Sequence, residues 1–487
     1  MIKNLFEDMG KYLPAQVIPA IMGLIAIPII TRLFPPEDYG NYVLVLATVS
    51  VFSIIVGWLS MSIIRFYPAY KRDSRLDEFY GTTIKLTGIS IIVLSLIFMI
   101  ILFLSKNHVS ANLYYLMRIG LFVFISTSCF NILQGFLRAK RRAGWYTRFS
   151  IWRSVTTLVF GIALIMIFHY GVEGLLWGSI LSMAIVLPVL WRIAVEKSPT
   201  TKDISIPLAS KMAKYGFPLV VGSLAAWILS LSDRYILEFF RGSQEVGIYS
   251  VSYNISAHSI GLIASLFLLA SWPIEISIWE NKGEKAAQEF LSNLSRYYLI
   301  ICFPLTVGLS VLAKPVIDVL ATQKYYEGYK IVPLVVIGAF FLGLQRRFQS
   351  GIAYHKKTYY IMFCTIISGL LNLGLNFILV PKYGYMAAAV TTLISYVFLL
   401  LLMVIVSRRF FIWEFPFKSL GKVACASTIM GIVVYYVGNS LTSSTLANLI
   451  LGICIGILIY WGMLFLLREF KPSELRALLD LKARIRG

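Results

Sequence analysis

Ionisable side chains inside long apolar segments are the residues of this sequence best suited to do chemistry. Asp233 and Arg234 lie within one such segment, and Arg346 and Arg347 lie within another. A charge inside a bilayer is costly, so we expect these side chains to face a partner or a water-filled cavity. A guanidinium stays charged in any pocket and grips oxyanions through two parallel donors. The pattern therefore favours binding of an anionic molecule.

The sequence leaves the roles of the individual charges open. Adjacent helical positions point about 100° apart, so only one of Arg346 and Arg347 needs to face a lumen. For the same reason we expect Asp233 and Arg234 not to pair with each other. Arg234 then either pairs with Glu238 one turn later or faces a cavity, and Asp233 needs another partner.

Two further arginines, Arg65 and Arg153, lie nearer the ends of apolar segments. Each either snorkels to the lipid headgroups or contributes to a cavity. The five cysteines contain no C-x-x-C pair, and the four histidines show no ligand spacing. We therefore expect no cofactor and no metal site.

About fourteen apolar segments supply the elements that must position these side chains. The chain has 487 residues, of which 58% are hydrophobic, and a mean hydropathy of +0.79. A membrane-spanning helix needs about 20 apolar residues, so short loops and these segments use nearly the whole chain. A barrel would show alternating strands instead of continuous apolar runs. The sequence predicts an all-α polytopic membrane protein with about fourteen transmembrane helices.

The positive charges follow a topological pattern. Most of the 44 Lys and Arg residues lie in alternate gaps between the apolar segments and in both tails. Basic loops are retained in the cytoplasm, which predicts that both termini are cytoplasmic. The net charge of +21 is explained by this topology, so we expect no nucleic-acid partner.

The chain also repeats itself. Tyr39-Gly40-Asn41-Tyr42 recurs as Val246-Gly247-Ile248-Tyr249, and Tyr170-Gly171 recurs as Tyr383-Gly384, about two hundred residues later in each case. An even number of spans in each copy predicts a parallel repeat of two pseudo-symmetric six-helix lobes. The predicted divisions are an N-terminal lobe (1–195), a C-terminal lobe (196–410), transmembrane helices 13 and 14 (411–470) and a cytoplasmic tail (471–487).

Several short motifs resemble one transporter family. They are Thr31-Arg32-Leu33-Phe34-Pro35-Pro36-Glu37-Asp38-Tyr39-Gly40, Tyr215-Gly216-Phe217-Pro218, Asp233-Arg234 and Gly247-Ile248-Tyr249. These segments are similar to those of the Wzx-type polysaccharide-biosynthesis flippases, which carry O-antigen and capsule repeat units. That family is part of the multidrug/oligosaccharidyl-lipid/polysaccharide exporter superfamily. The resemblance covers roughly residues 5–465.

The resemblance implies two lobes around a central cavity, and alternating access. It implies a flippase, not an enzyme, that moves a polyprenyl-pyrophosphate-linked oligosaccharide from the inner to the outer face of the bacterial cytoplasmic (inner) membrane. Expected partners are this lipid-linked oligosaccharide, membrane lipids, and a polymerase or other polysaccharide-assembly membrane proteins. The candidate substrate-binding residues are Arg234, Arg346, Arg347, Arg65, Arg153 and Asp233.

Two other functions compete with this interpretation. A cation-coupled exporter of drugs or organic cations would carry several acidic residues in its cavity, whereas we expect Asp233 to be the only deep carboxylate. An enzyme of the same pathway would need a long extracytoplasmic loop, and the gaps on that side are short. The longer gaps, such as residues 273–296, belong to the cytoplasmic side.

The last two spans lie outside the repeat and contain small residues, including Gly431, Gly452 and Gly456. Small residues permit close approach of a helix or a lipid tail. By resemblance to fourteen-span members, these spans are expected to form a groove for the polyprenyl chain. The alternative is a peripheral packing role, and the sequence leaves both open.

Overall fold

A computed structural model describes residues 13–195, 204–438, 444–470 and 474 of the chain. Every regular element in these ranges is helical, which confirms the predicted all-α class. The helices of the first part are α1 (Pro14–Leu33), α2 (Pro36–Arg72), α3 (Leu76–Ser105), α4 (Ala111–Ala139), α5 (Ala143–Phe168), α6 (Glu173–Ala194), α7 (Ile206–Leu231) and α8 (Asp233–Arg241). They are followed by α9 (Ser243–Val311), α10 (Ala313–Leu320), a 3-10 helix (Gln323–Ile331), α11 (Val332–Tyr354), α12 (Tyr359–Ser407), α13 (Phe417–Gly438) and α14 (Thr445–Leu466).

Twelve helical segments of the described ranges are long and apolar enough to cross a membrane. Two of them, α9 with 69 residues and α12 with 49 residues, contain an internal break. The breaks lie at Gly283, with φ 80°, and at Gly384, with φ 56°. Glycine adopts positive φ without the steric cost of a Cβ, so the chain can change direction at these two positions. Each of the two long helices therefore consists of two helical limbs, one on either side of its glycine. The protein is a multi-pass membrane protein.

Contacts between helices divide the chain into two compact units. Unit 1 comprises residues 1–251 and 362–391, and unit 2 comprises residues 252–361 and 392–487. Both α9 and α12 therefore contribute to both units. The lobes predicted from the sequence repeat rest on a different criterion, internal similarity, and their boundaries stay a prediction.

Within unit 1, the two copies of the repeated motif, Tyr39–Tyr42 and Val246–Tyr249, lie where the starts of α2 and α9 contact each other. A Cβ on Gly40, at the start of α2, would overlap the carbonyl oxygen of Ser243 at the start of α9. A Cβ on Gly247 would likewise overlap the carbonyl oxygen of Pro36. The Ser243 hydroxyl oxygen also lies 2.6 Å from the side-chain amide of Asn41, within hydrogen-bond distance. The glycine of each copy is thus required because the other copy's backbone lies against it.

Within unit 2, residues 273–296, which the sequence suggested as a gap, are part of α9. The helix continues through this region with a single break at Gly283. Just before the break, Trp279 stacks on Tyr354 of α11, with ring centroids 4.9 Å apart. This segment packs along α11, a contact that the spacing of charges in the sequence does not indicate.

The hairpin of α13 and α14 also packs within unit 2. A Cβ on Gly431 would meet the Val307 side chain, and one on Gly456 would meet Val434. Gly452 lies close to Leu312 in the same way. These small residues therefore bring helices together, which favours the packing role. The polyprenyl groove stays a prediction.

Candidate functional site

A cavity of about 840 Å³ lies within unit 1 and is bounded by residues of α1, α2, α4, α5, α6 and α7. This volume falls in the range of small-molecule sites, roughly 300–1,000 Å³. Among the described residues that line it, Arg138 and Arg153 are the only charged ones, and none is acidic. The cavity wall is therefore positively charged.

The two sides of the cavity differ in polarity. The wall formed by α4 and α5 is polar because each helix turns a polar stripe at helical spacing toward the space. Its members are Asn131, Gln134, Arg138, Tyr146, Ser150, Arg153, Ser154 and Thr157. The α1 side contributes apolar or small residues: Ala15, Pro19, Met22, Gly23, Ala26 and Ile30. The cavity can thus hold a polar group against α4 and α5 and apolar surface against α1.

Both cavity arginines donate hydrogen bonds to uncharged side chains. Arg153 Nη1 donates to Asn131 Oδ1 at 3.3 Å, and its guanidinium carbon lies 5.2 Å from the centre of the Phe130 ring. Arg138 Nη2 donates to Ser60 Oγ at 3.2 Å. In the described part of the chain, neither guanidinium forms an ion pair. Their charges are therefore available to an anion.

The predicted Asp233 and Arg234 lie elsewhere in unit 1, at the junction of α7 and α8. They are buried and form an ion pair, with Arg234 Nη1 3.1 Å from Asp233 Oδ1. The Tyr249 hydroxyl donates a further hydrogen bond to Asp233. The prediction that these neighbours do not pair is wrong: Asp233 is the first residue of α8, and the long Arg234 side chain turns back toward it, where its Nη1 also donates to Ser230 O at 3.0 Å. Glu238, the expected partner of Arg234, accepts a hydrogen bond of 2.7 Å from Ser243.

Arg347 lies in unit 2 against a carboxylate that the sequence interpretation missed. Arg347 and Glu275 are each only 1% exposed, and Arg347 Nη1 lies 3.6 Å from Glu275 Oε1. The other carboxylate oxygen accepts hydrogen bonds from Ser350 at 2.8 Å and Tyr354 at 3.3 Å. The prediction that Asp233 is the only deep carboxylate is therefore wrong. Glu275 was overlooked because it follows Pro273 in a region interpreted as a gap between spans.

The structure does not bring the six predicted residues together at one described site. Arg153 lines the cavity, whereas the other five are not among its lining residues. Arg346 is half-buried on α11, and Arg65 is exposed on α2. The substrate-binding role of all six stays a prediction. Arg138 was missed because it precedes the Lys140-Arg141-Arg142 run and was counted with that basic loop.

The described residues contain no group of three or more His, Cys, Asp or Glu side chains that could hold a metal ion.

The family of the chain follows from a comparison with known proteins. The model of the polysaccharide biosynthesis protein family matches residues 5–279. The chain belongs to the polysaccharide biosynthesis protein family. This membership makes it a transporter and not an enzyme.

Relatives and solved structures agree with the family. The chain is 23% identical to a protein of Haloferax volcanii named as a probable low-salt glycan biosynthesis flippase, over 82% of each chain. Its fold is similar to that of the lipid II flippase MurJ in an inward closed conformation, with a TM-score of 0.76 and 19% identity, covering 93% of this chain and 98% of that one. It is also similar to an inward-facing multidrug resistance MATE family transporter, with a TM-score of 0.68 and 13% identity, over 81% and 97% of the two chains. At these identities the two structures establish a shared MurJ/MATE-like fold.

Proposed function

We propose that this protein is a flippase that moves a polyprenyl-pyrophosphate-linked oligosaccharide from the inner to the outer face of the cytoplasmic membrane, for cell-surface polysaccharide biosynthesis such as that of O-antigen or capsule. The observation that carries the proposal is the cavity in unit 1. Its described lining contains two arginines and no carboxylate. The family and the glycan flippase of Haloferax volcanii support the same class of cargo.

In this proposal the cavity arginines bind the pyrophosphate. Arg138 and Arg153 have only neutral hydrogen-bond partners, Ser60 and Asn131, so an anion gains their full attraction. Guanidinium groups bind phosphate oxygens through paired donors and keep the charge of the headgroup away from hydrocarbon. In a cell that is negative inside, outward movement of negative charge is favoured by about 2.3 kcal/mol per charge per 100 mV. The membrane potential can therefore bias the cycle.

The topology forms part of the proposal. If each limb of α9 and α12 crosses once, the described helices account for fourteen spans with both termini in the cytoplasm. Single cysteines in a cysteine-free variant test this arrangement. A membrane-impermeant thiol reagent added outside intact cells should label position 108 and leave positions 141 and 357 unlabelled. Labelling of either basic loop from outside would refute this topology.

The decisive test of function is flipping by the purified protein in sealed vesicles. The wild type should translocate a fluorescent polyprenyl-pyrophosphate oligosaccharide, and Arg153→Ala and Arg138→Ala should each slow it roughly ten- to a hundredfold, since hydrogen bonds to charged groups contribute about 1.5–3 kcal/mol. Arg153→Lys should rescue only part of the rate, because the paired donors are lost.

Arg148→Ala is the matched control. Arg148 lies on the same helix as Arg153 but is exposed, with its guanidinium carbon 4.9 Å from the centre of the Trp145 ring. Its removal should leave the flipping rate unchanged. Normal flipping by both cavity variants would refute the proposal. Transport of an organic cation instead of the lipid-linked sugar would favour the alternative function, a drug or organic-cation exporter. This alternative is considered because the fold is similar to that of a multidrug resistance MATE family transporter.

A further inference from the structure

Thr157 places a hydroxyl without a hydrogen-bond partner in the cavity wall. It lies on α5 one turn beyond Arg153 and on the same face of the helix. The cavity hydroxyls of Ser150 and Ser154, on this same stripe, donate to the backbone carbonyl four residues earlier, at 2.9 Å and 3.0 Å. Threonine in a helix commonly forms this bond as well. The Thr157 hydroxyl instead forms no hydrogen bond within the described part of the chain.

The Thr157 hydroxyl is accessible from the cavity. Its side chain lines the cavity and is only half-buried, and its oxygen is not among the unpartnered side-chain atoms that the protein encloses. The adjacent Thr156 differs in both respects. It is not among the described lining residues, and its hydroxyl donates to Trp152 O at 2.7 Å and lies 2.5 Å from Ser182 Oγ of α6. Of these two threonines, Thr157 is therefore the one that a molecule in the cavity meets.

The position of Thr157 along the wall indicates which part of the cargo it contacts. The Arg138 guanidinium carbon lies 5.8 Å from the centre of the Tyr146 ring. On α5, Arg153 follows Tyr146 by seven residues, and Thr157 follows it by eleven. The order along the wall is therefore Arg138, then Arg153, then Thr157 about 6 Å further on, at the rise of an α-helix. A pyrophosphate held between the two arginines leaves the adjoining part of the cargo at Thr157.

The adjoining part is either a sugar or a hydrocarbon tail, and the chemistry of the wall separates them. A threonine hydroxyl donates and accepts hydrogen bonds, as each hydroxyl of a sugar does. Hydrocarbon does neither, and covering an unpaired hydroxyl with it is costly. A second uncharged polar group lies nearby: Asn131 Oδ1 accepts from Arg153, which turns the exposed amide NH₂ group away from the guanidinium. These groups favour a sugar beside Arg153.

We propose that Thr157 recognises the sugar of the cargo: its hydroxyl forms a hydrogen bond with a hydroxyl of the sugar unit next to the pyrophosphate. This inference rests on the proposed flippase function and adds a sugar subsite to the anion site of Arg138 and Arg153. It assigns the two parts of the cargo to different residues of one wall. A bare polyprenyl pyrophosphate uses the arginines alone.

Two cargoes separate these roles in the vesicle assay: polyprenyl pyrophosphate with its oligosaccharide, and the same lipid without sugar. Thr157→Val replaces the hydroxyl with a methyl group and keeps the shape of the side chain. It should slow the sugar-bearing lipid roughly three- to tenfold, the effect of one hydrogen bond, and leave the bare lipid unchanged. Thr157→Ser keeps a hydroxyl and should move both lipids at nearly the wild-type rate. Arg153→Ala should slow both.

Thr156→Val is the matched control. It makes the same substitution one position earlier, at a hydroxyl that is bonded within the protein, and should leave the ratio of the two rates at its wild-type value. Thr157→Ala should repeat the result of Thr157→Val and serves if the Val variant does not fold.

Three outcomes would overturn the inference. Equal slowing of both cargoes by Thr157→Val and Thr157→Ala would make Thr157 a packing residue. An unchanged rate for the sugar-bearing lipid would remove the subsite while leaving the flippase proposal intact. Failure of the wild-type protein to move either lipid would reject the proposed function itself, and the sugar subsite with it.

Discussion

Two helix–helix contacts can be compared, that of α2 with α4 in unit 1 and that of α9 with α11 in unit 2. They differ in the side chains that lie between the helices. The helices α4 and α11 end alike: Arg141 has φ 56° and Lys356 has φ 59°, each two residues beyond the helix end. Aligned on these residues, Gln134 corresponds to Gln349. The two contacts are therefore comparable position by position.

The packed faces of the two helices differ in charge. In unit 1 the α4 backbone at Gly135 lies against Ser60 of α2, so that an added Cβ would be 2.6 Å from Ser60 Oγ. In unit 2 the aligned residue is Ser350, which donates to Glu275 of α9 at 2.8 Å. The second contact encloses a carboxylate together with Arg347, whereas the first encloses none.

An arginine within an apolar segment is therefore not by itself a binding residue. Arg347 is neutralised by a carboxylate of its own unit, while Arg138 and Arg153 have only uncharged partners. Arg346, the neighbour of Arg347, aligns with Asn131, which lines the cavity of unit 1. Of the two adjacent arginines, Arg346 is therefore the better candidate for contact with cargo.

The largest expected effect comes from breaking the ion pair of unit 2. Glu275→Ala leaves Arg347 buried without a counter-charge and should lower the free energy of unfolding by about 3–5 kcal/mol. The double variant Glu275→Met with Arg347→Met should recover much of this loss, because it removes both charges. Thermal unfolding in detergent measures both. A Glu275→Ala protein as stable as the wild type would show that the pair is not energetically important.

Transplanting the carboxylate to unit 1 should abolish the difference between the contacts. Ser60→Glu places an acid beside Arg138, in the position that Glu275 has in unit 2. It should slow flipping of the anionic lipid roughly tenfold or more, since a charge-assisted contact of about 1.5–3 kcal/mol is diverted from the cargo. Ser60→Gln controls for side-chain size. Equal rates for the Glu and Gln variants would show that charge in the cavity is unimportant.

Single substitutions of Arg346 and Arg347 test whether these two neighbours have different roles. Arg346→Ala should slow flipping about tenfold with little change in unfolding temperature, because no ion pair is broken. Arg347→Ala should mainly lower the unfolding temperature, because Glu275 is left uncompensated. The measurements are the vesicle assay and thermal unfolding of each variant. The opposite assignment, with Arg347 alone controlling the rate of a stable protein, would contradict this distinction.

The last prediction concerns the glycine of the first contact. Gly135→Ser makes α4 resemble α11, but the added atoms press on Ser60 and should cost about 1–3 kcal/mol. The combination with Ser60→Gly should restore part of the loss. Unfolding of the single and double variants tests this coupling, and purely additive effects would show that the two residues do not compete for space.

The helical class, the multi-pass character and the family can all be predicted from the amino-acid sequence alone. These follow from local properties: a run of apolar residues spans a bilayer as a helix wherever it lies, and loop charges bias the topology one gap at a time. The meeting of Gly40 with Gly247 could also be anticipated in part, because the repeat marks both positions. Of the six candidate residues only Arg153 lines the described cavity, and nothing local in the sequence told it apart from Arg65; its role in binding stays a prediction.

Which charges are neutralised depends instead on how the helices pack. Arg347 and Arg153 both lie within apolar segments of the sequence. In the structure, Glu275 of another helix neutralises Arg347. The partners of Arg153 and Arg138 are instead an amide and a hydroxyl group. The attraction of a guanidinium for cargo depends on the charge within a few ångströms, and helix packing brings that charge from distant parts of the chain.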